Sequence, residues 1–170
     1  MKLDLVQQTL IASLLLAGLS AFAGTAAAGG YANAHLLMET QELAPLSEAG
    51  KVSIVDVRPR EAYEAGHIPG AVHLGADDII DQHSSVDGNL LPVDVLARMF
   101  GERGIGKATP VVFYDDQGGF HASRLFWLLE YLGHRQVSVL NGGFPKWQNE
   151  GRAVTADVPE VQPQVFSAAP

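Results

Sequence analysis

Short, almost unbroken apolar runs alternate along the chain with longer stretches of helical period. Residues 52–57 (Val-Ser-Ile-Val-Asp-Val) read as a strand that is apolar on both faces, the pattern of a parallel sheet covered from two sides. Residues 111–114 (Val-Val-Phe-Tyr) and 137–140 (Val-Ser-Val-Leu) repeat it, residues 71–74 give a shorter run, and residues 36–38 a candidate edge strand. Between them, Thr40 is placed to cap a helix running toward Ser47, with Gly50 closing the connection. Pro92 suits a first helical turn, and Val93, Leu96, Ala97 and Phe100 then make an inward stripe before Gly101 and Gly104. Residues 122–132 carry Leu125, Phe126, Leu128, Leu129 and Leu132, with Gly133 as the stop. This alternation predicts an α/β fold: one domain with a central parallel sheet of about five strands and helices on both faces.

The two ends of the chain break the pattern. Residues 1–28 read as a secretory signal peptide, with Lys2 at the start, an uncharged apolar stretch over 10–23 and Ala26-Ala27-Ala28 as the cleavage site. That stretch is short for a membrane span of about 20 residues, and an uncleaved anchor is the alternative. After cleavage no stable membrane insertion is expected, and the mature protein is expected to be exported, with the periplasm as its compartment. The domain is expected over 31–155. Residues 156–170, punctuated by Pro159, Pro163 and Pro170 and without helical period, read as a tail or linker.

Composition then removes whole classes of function. The 170 residues include 19 acidic against 11 Lys and Arg, a formal net charge of -8, which repels phosphate backbones and leaves no nucleic acid among the expected partners. There is no cysteine, so disulfides, thiolate metal sites, iron–sulfur clusters and a cysteine nucleophile are excluded.

In open parallel sheets ligands collect beyond the carboxyl ends of the strands. The candidate site is therefore the turn after Tyr114: Asp115, Asp116, Gln117, Gly118, Gly119, Phe120 and His121, leading into the helix at Ala122. A glycine-bearing loop ending at a helix N-terminus offers backbone N–H groups to an anion. Two carboxylates at its entrance oppose that by like-charge repulsion, and no lysine or phosphate-loop pattern accompanies it. Asp115, Asp116 and His121 form a weak candidate for a divalent metal, against a turn-forming role for the aspartates. An Asp115 nucleophile of the aspartyl-phosphate kind lacks the cation it needs, and the His73, Asp77, Asp78, Asp81, His83 run reads as a solvated acidic loop. No cofactor is indicated. Pro69-Gly70 fits the centre of a type II turn, His67 is placed to bond local backbone, and Asp56 and Arg58 share one side of an extended segment.

These residues carry a resemblance. Asp56-Val57-Arg58, then Tyr63, His67-Ile68-Pro69-Gly70-Ala71 and, later, Val137 to Leu140 followed by Asn141-Gly142-Gly143-Phe144 and Trp147 resemble a rhodanese (sulfurtransferase) domain. The resemblance implies a single rhodanese-like domain in which Asp56, Arg58, Tyr63, His67, Pro69, Gly70, Asn141, Gly142 and Gly143 are structural motif positions. It also implies that Asp115 occupies the family's cysteine position, leaving a vestigial active-site loop over 115–121 and no catalytic residue. A carboxylate cannot carry a sulfane sulfur as a thiolate does. The chain is similar, more narrowly, to the non-catalytic N-terminal half of tandem thiosulfate and 3-mercaptopyruvate sulfurtransferases, and Val165 to Pro170 resemble their inter-domain linker. The implied function is a non-catalytic binding or docking half, inactive alone, whose partner is a catalytic rhodanese domain in another chain. The alternatives are a component of an active sulfurtransferase whose cysteine lies on another domain or chain, and a metal- or small-ligand-binding module.

Overall fold

The computed structural model describes residues 32–170; the leader expected over 1–28 and residue 31 lie outside the described residues. Five strands, β1 (Leu37–Met38), β2 (Ser53–Asp56), β3 (Ala71–His73), β4 (Val111–Tyr114) and β5 (Val137–Leu140), form one sheet in the order β1-β5-β4-β2-β3. Every pairing is parallel. The helices are α1 (Thr40–Glu48), α2 (Arg60–Ala65), α3 (Val93–Glu102), α4 (Ala122–Tyr131) and α5 (Gly143–Asn149). None in the described residues is long and apolar enough to cross a membrane.

The central strand shows why an unbroken apolar run marks a covered sheet. All four residues of β4 are buried. Val111 and Phe113 point into a core shared with Leu96 and Phe100 of α3 and Leu125 and Leu128 of α4. Val112 and Tyr114 point the other way, onto Leu43 of α1 and Phe144 and Trp147 of α5. Side-chain alternation along one strand thus feeds two cores and fixes the three-layer order of helix, sheet and helix. The register sets Asp56 beside both Tyr114 and His73, so β2, β3 and β4 bring those ends to one level.

Three local expectations are corrected. The cap of α1 is Glu39, not Thr40: Glu39 accepts the N–H of Glu42, and Glu42 returns a bond to the Glu39 N–H at 3.0 Å. This reciprocal box satisfies two orphan donors and leaves Thr40 buried, its hydroxyl donating to Glu150 at 2.7 Å. Pro92 is the residue before α3 rather than its first, and Val93 is exposed rather than part of the inward stripe. The expected type II turn is present: Gly70 has φ 80° and the Ala71 N–H bonds Ile68 O at 2.9 Å.

Residues 156–170 contain no helix or strand, but they are not free of the domain. The chain first bridges His67 through Thr155. Gln164 then donates its N–H to Gly101 O at 2.9 Å, Phe166 is buried against Phe100 and His134, and the Ala169 N–H reaches Leu132 O at 3.0 Å. At Gly101 a Cβ would collide with Gln164 O, so a glycine is needed for the strap to lie this close.

Candidate functional site

The site is built at the carboxyl ends of β2, β3 and β4. The loop over 115–121 leaves β4 and enters α4, and its first residue decides its chemistry. Asp115 is 1% exposed and folds back into the loop's own concavity. Its Oδ1 accepts the N–H groups of Gln117 (3.0 Å) and Gly119 (2.8 Å), and its Oδ2 those of His121 (2.8 Å) and Ala122 (3.0 Å). The two donors at the helix entrance lie where the α4 dipole also favours negative charge. An anion cradle is therefore present, and the protein's own carboxylate fills it.

Asp115 is fixed from behind as well. Its carbonyl accepts the Phe144 N–H at 2.8 Å, and Gly143 packs so tightly on that carbonyl that any Cβ would strike it. Gly143 also has φ 56°, a conformation that side chains disfavour. The Asn141-Gly142-Gly143 run thus serves the loop through backbone approach. Asn141 itself donates to Glu39 at 2.6 Å, where Lys146 also binds at 2.6 Å. Those bonds hold the Glu39 carboxyl below its ordinary pKa.

Beside the loop lies a buried ion pair. Asp56 and Arg58 do share a side, and they pair with one another: Arg58 Nη2 is 2.6 Å from Asp56 Oδ2, and Nε is 3.0 Å from Oδ1. Tyr114 donates its hydroxyl to Asp56 at 2.6 Å and accepts the Ile68 N–H at 3.2 Å. The guanidinium also donates to Gly66 O at 2.7 Å and lies 3.7 Å over the Phe144 ring. One charged cluster therefore ties β2 to β4, α5 and the α2–β3 turn. Burial works against the Arg58 charge, but the bonds and charge of Asp56 outweigh it and raise its pKa. Burial, with the Asp56 charge second, pushes the Tyr114 hydroxyl far above its usual value, so it stays a donor. Tyr63 is also raised by burial; its hydroxyl donates to Ala71 O at 2.9 Å. His67 stacks on Tyr63 at 3.9 Å and faces two carbonyls, Tyr63 O at 2.9 Å and Asp157 O at 3.1 Å. Pro69 belongs to the turn already described, and its carbonyl accepts the Ser47 hydroxyl. These motif residues brace the fold and do not converge on a reacting centre.

The remaining loop residues point outward. Asp116, Gln117 and Gly118 are exposed, and Phe120 is 72% exposed beside His121. Asp115, Asp116 and His121 do not form a ligand set: both Asp115 oxygens are engaged, and no metal-holding group of three or more His, Cys, Asp or Glu occurs among the described residues. Asp78 and Asp81 cap their own loop through the N–H groups of Gly75 and His83. A cleft of about 270 Å3 opens beside the loop, between Arg60, His73, Asp77, Asp78 and His121. Sequence reasoning missed Glu39, signalled by its Glu-x-x-Glu spacing, and the exposed aromatic pair Trp127 and Tyr131 on α4.

Comparison with known proteins agrees with this architecture. The rhodanese-like domain model matches residues 39–150. The chain is similar to thiosulfate sulfurtransferase of Bos taurus, 36% identical over 78% of this chain and 49% of the relative. It is also similar to the sulfur carrier protein TtuD of Thermus thermophilus, 34% identical over 79% of this chain and 47% of the relative. The chain thus spans about half the length of the curated relatives it matches. Among solved structures, SseA of Escherichia coli, described as a 3-mercaptopyruvate sulfotransferase, superposes with a TM-score of 0.73 at 26% identity, over 79% of this chain and 55% of that one. The parallel five-stranded sheet, the loop between β4 and α4 and the family match agree: this chain belongs to the rhodanese-like domain family.

Proposed function

We propose that this chain is an exported, non-catalytic half of the sulfurtransferase family that docks onto a rhodanese domain bearing a cysteine. The observation that carries the reading is the Asp115 carboxylate, which takes all four inward N–H bonds of the loop in a sequence without cysteine. The loop holds neither a thiolate to receive sulfur nor a free cradle to bind its anion. Docking is supported by the outer face of α4. Trp127 (57% exposed) and Tyr131 (49%) stack at 5.6 Å, and Phe120, in the loop that leads into the same helix, is exposed as well. A stacked pair of exposed aromatics is unusual on a lone domain and typical of the centre of an interface. The partner is taken to be a cysteine-bearing rhodanese domain because the matched segment fills only about half of the Bos taurus thiosulfate sulfurtransferase, leaving room in it for a second domain.

A second reading, that the chain completes a partner's active site, is favoured by Phe120 and His121, which stand together at the loop's lip. The full chain incubated with thiosulfate and cyanide is expected to release no thiocyanate and to gain no sulfane adduct in its intact mass; either product overturns the non-catalytic reading. A photo-crosslinking residue in place of Trp127 is expected to capture a protein with a cysteine-bearing rhodanese loop. Capture only of proteins without that loop, or none, overturns docking. Export is tested separately, by a mature N-terminus at Gly29.

A further inference from the structure

A second cleft, of about 310 Å3, lies between the edge strand β3, α2, the end of α3 and the C-terminal strap. No residue of the 115–121 loop lines it. Its charged residues lie on α2 and at the end of α3, and its strap wall is apolar. Arg103, half-buried after α3, is held by two backbone carbonyls: Nε donates to His73 O at 2.7 Å and Nη1 to Met99 O at 2.8 Å. These bonds fix the plane of the guanidinium without neutralising it. Among the described residues no carboxylate lies within 4.0 Å of Arg103, and its Nη2 donates to no protein group. Burial lowers its pKa, Asp78 and Glu102 offset this in part, and the like charge of Arg60 adds to the lowering. Arg60 lines the same cleft; its pairing with Glu64 is an exposed contact at 3.8 Å, of the kind that contributes little. Val158 and Val161 of the strap line the same cleft, and Val158 is 72% exposed although apolar.

We propose that this cleft binds a small organic monocarboxylate, with the carboxylate on Arg103 and Arg60 and a short apolar body against Val158 and Val161. A guanidinium held in plane presents a fork that matches a carboxylate. A phosphate dianion would meet the rim acids Glu64 and Glu102 and gain nothing from the valines. A neutral apolar molecule would leave the guanidinium unpaired. The volume suits a small ligand rather than a peptide. The site is independent of the docking reading, since it shares no residue with the outer face of α4.

Isothermal titration of the full chain with hexanoate, hexan-1-ol and inorganic phosphate tests this. Hexanoate is expected to bind saturably, with the alcohol and phosphate at least about tenfold weaker, the equivalent of one charge-assisted contact. Arg60→Gln is exposed enough to leave folding unchanged and is expected to weaken hexanoate about three- to tenfold. Val158→Asp, which sets a carboxylate on the wall, is expected to abolish binding. Absence of saturable heat up to about 20 mM hexanoate, equal binding of the alcohol, or insensitivity to both substitutions overturns the proposal.

Discussion

Replacing Asp115 by alanine empties the loop's cradle and leaves four N–H groups facing one another. The Ala122 N–H is buried and the other three are partly buried, so water can reach some but not all of them. A hydrogen bond to a charged group contributes about 1.5–3 kcal/mol, and a buried donor left unpaired costs about 1–3 kcal/mol. Counting the Ala122 bond in full and allowing water to replace most of the rest gives a loss of about 3–5 kcal/mol. Asp115→Asn is expected to be no milder. One amide oxygen still accepts from one pair of donors, but the NH2 is turned onto the other pair, donor against donor. The assay is urea unfolding, read as the shift in midpoint at constant slope. Formate then tests the cause. It is a carboxylate of the missing size, so it is expected to stabilise Asp115→Ala by about 1.4 kcal/mol at about ten times its Kd, and to leave the wild type unmoved. An Asp115→Ala protein within about 0.5 kcal/mol of wild type, or a formate shift equal in both proteins, removes the carboxylate as the loop's anchor.

Three further outcomes follow from the same contacts. Asp56→Ala strands Arg58 in a buried setting and removes the Tyr114 bond, and is expected to cost about 3–5 kcal/mol in denaturant unfolding; a loss under about 1 kcal/mol contradicts a buried pair. Phe166→Ala is expected to cost about 3 kcal/mol and to expose residues 156–165 to limited proteolysis, whereas cleavage unchanged from wild type shows that the strap is held by other contacts. His134 donates to Gly106 O at 3.0 Å and accepts the Gln136 N–H, and burial lowers its pKa below the ordinary 6.5. The unfolded chain therefore takes up the proton first, so this group's stability term is intact above pH 6.5 and is lost as pH falls from 6.5 toward the folded value. His134→Gln is expected to flatten that part of the pH–stability curve; an unchanged slope removes His134 as its source.

What was legible in the sequence was whatever depends on burial alone. The runs 111–114 and 137–140 have the strand bounds read from them, because a strand covered on both faces must be apolar at every position. The helix stripe was less reliable at its edge: Val93 carries the period but sits where α3 meets solvent, since a stripe has no marker for where the core stops. Thr40 was the better cap by residue type, and Glu39 displaced it because Glu42 could answer from three residues on. The strap reads as a linker in sequence because its one buried side chain, Phe166, has no period to betray it, and its other anchors are backbone hydrogen bonds. Asp115 stands apart from Asp116 in sequence only through the family resemblance, since the two are the same residue type. The structure separates them, one fully turned in and one turned out, through loop dihedrals that depend on Gly118 (φ 71°) and Gly119 (φ 92°).

That separation alters where an anion would be expected. In a chain with a net charge of -8, the interior acids at the strand ends are each supplied with donors: Asp56 by Arg58 and Tyr114, Asp115 by four amides. Neither has capacity left for a ligand. The half-buried cation Arg103 is in the opposite position, oriented by carbonyls but not neutralised by an acid. A thiol at position 115 would not reverse this balance by itself. It would withdraw a carboxylate from donors whose positions are set by Gly143, Phe144 and the entrance of α4, and a single sulfur offers fewer acceptor directions than two oxygens. Asp115→Cys is accordingly expected to give a less stable protein with no sulfur transfer, measured by unfolding and by thiocyanate release from thiosulfate and cyanide. Transfer by that single variant would mean that the cradle forms without its resident carboxylate, and the account of the loop given above would fail with it.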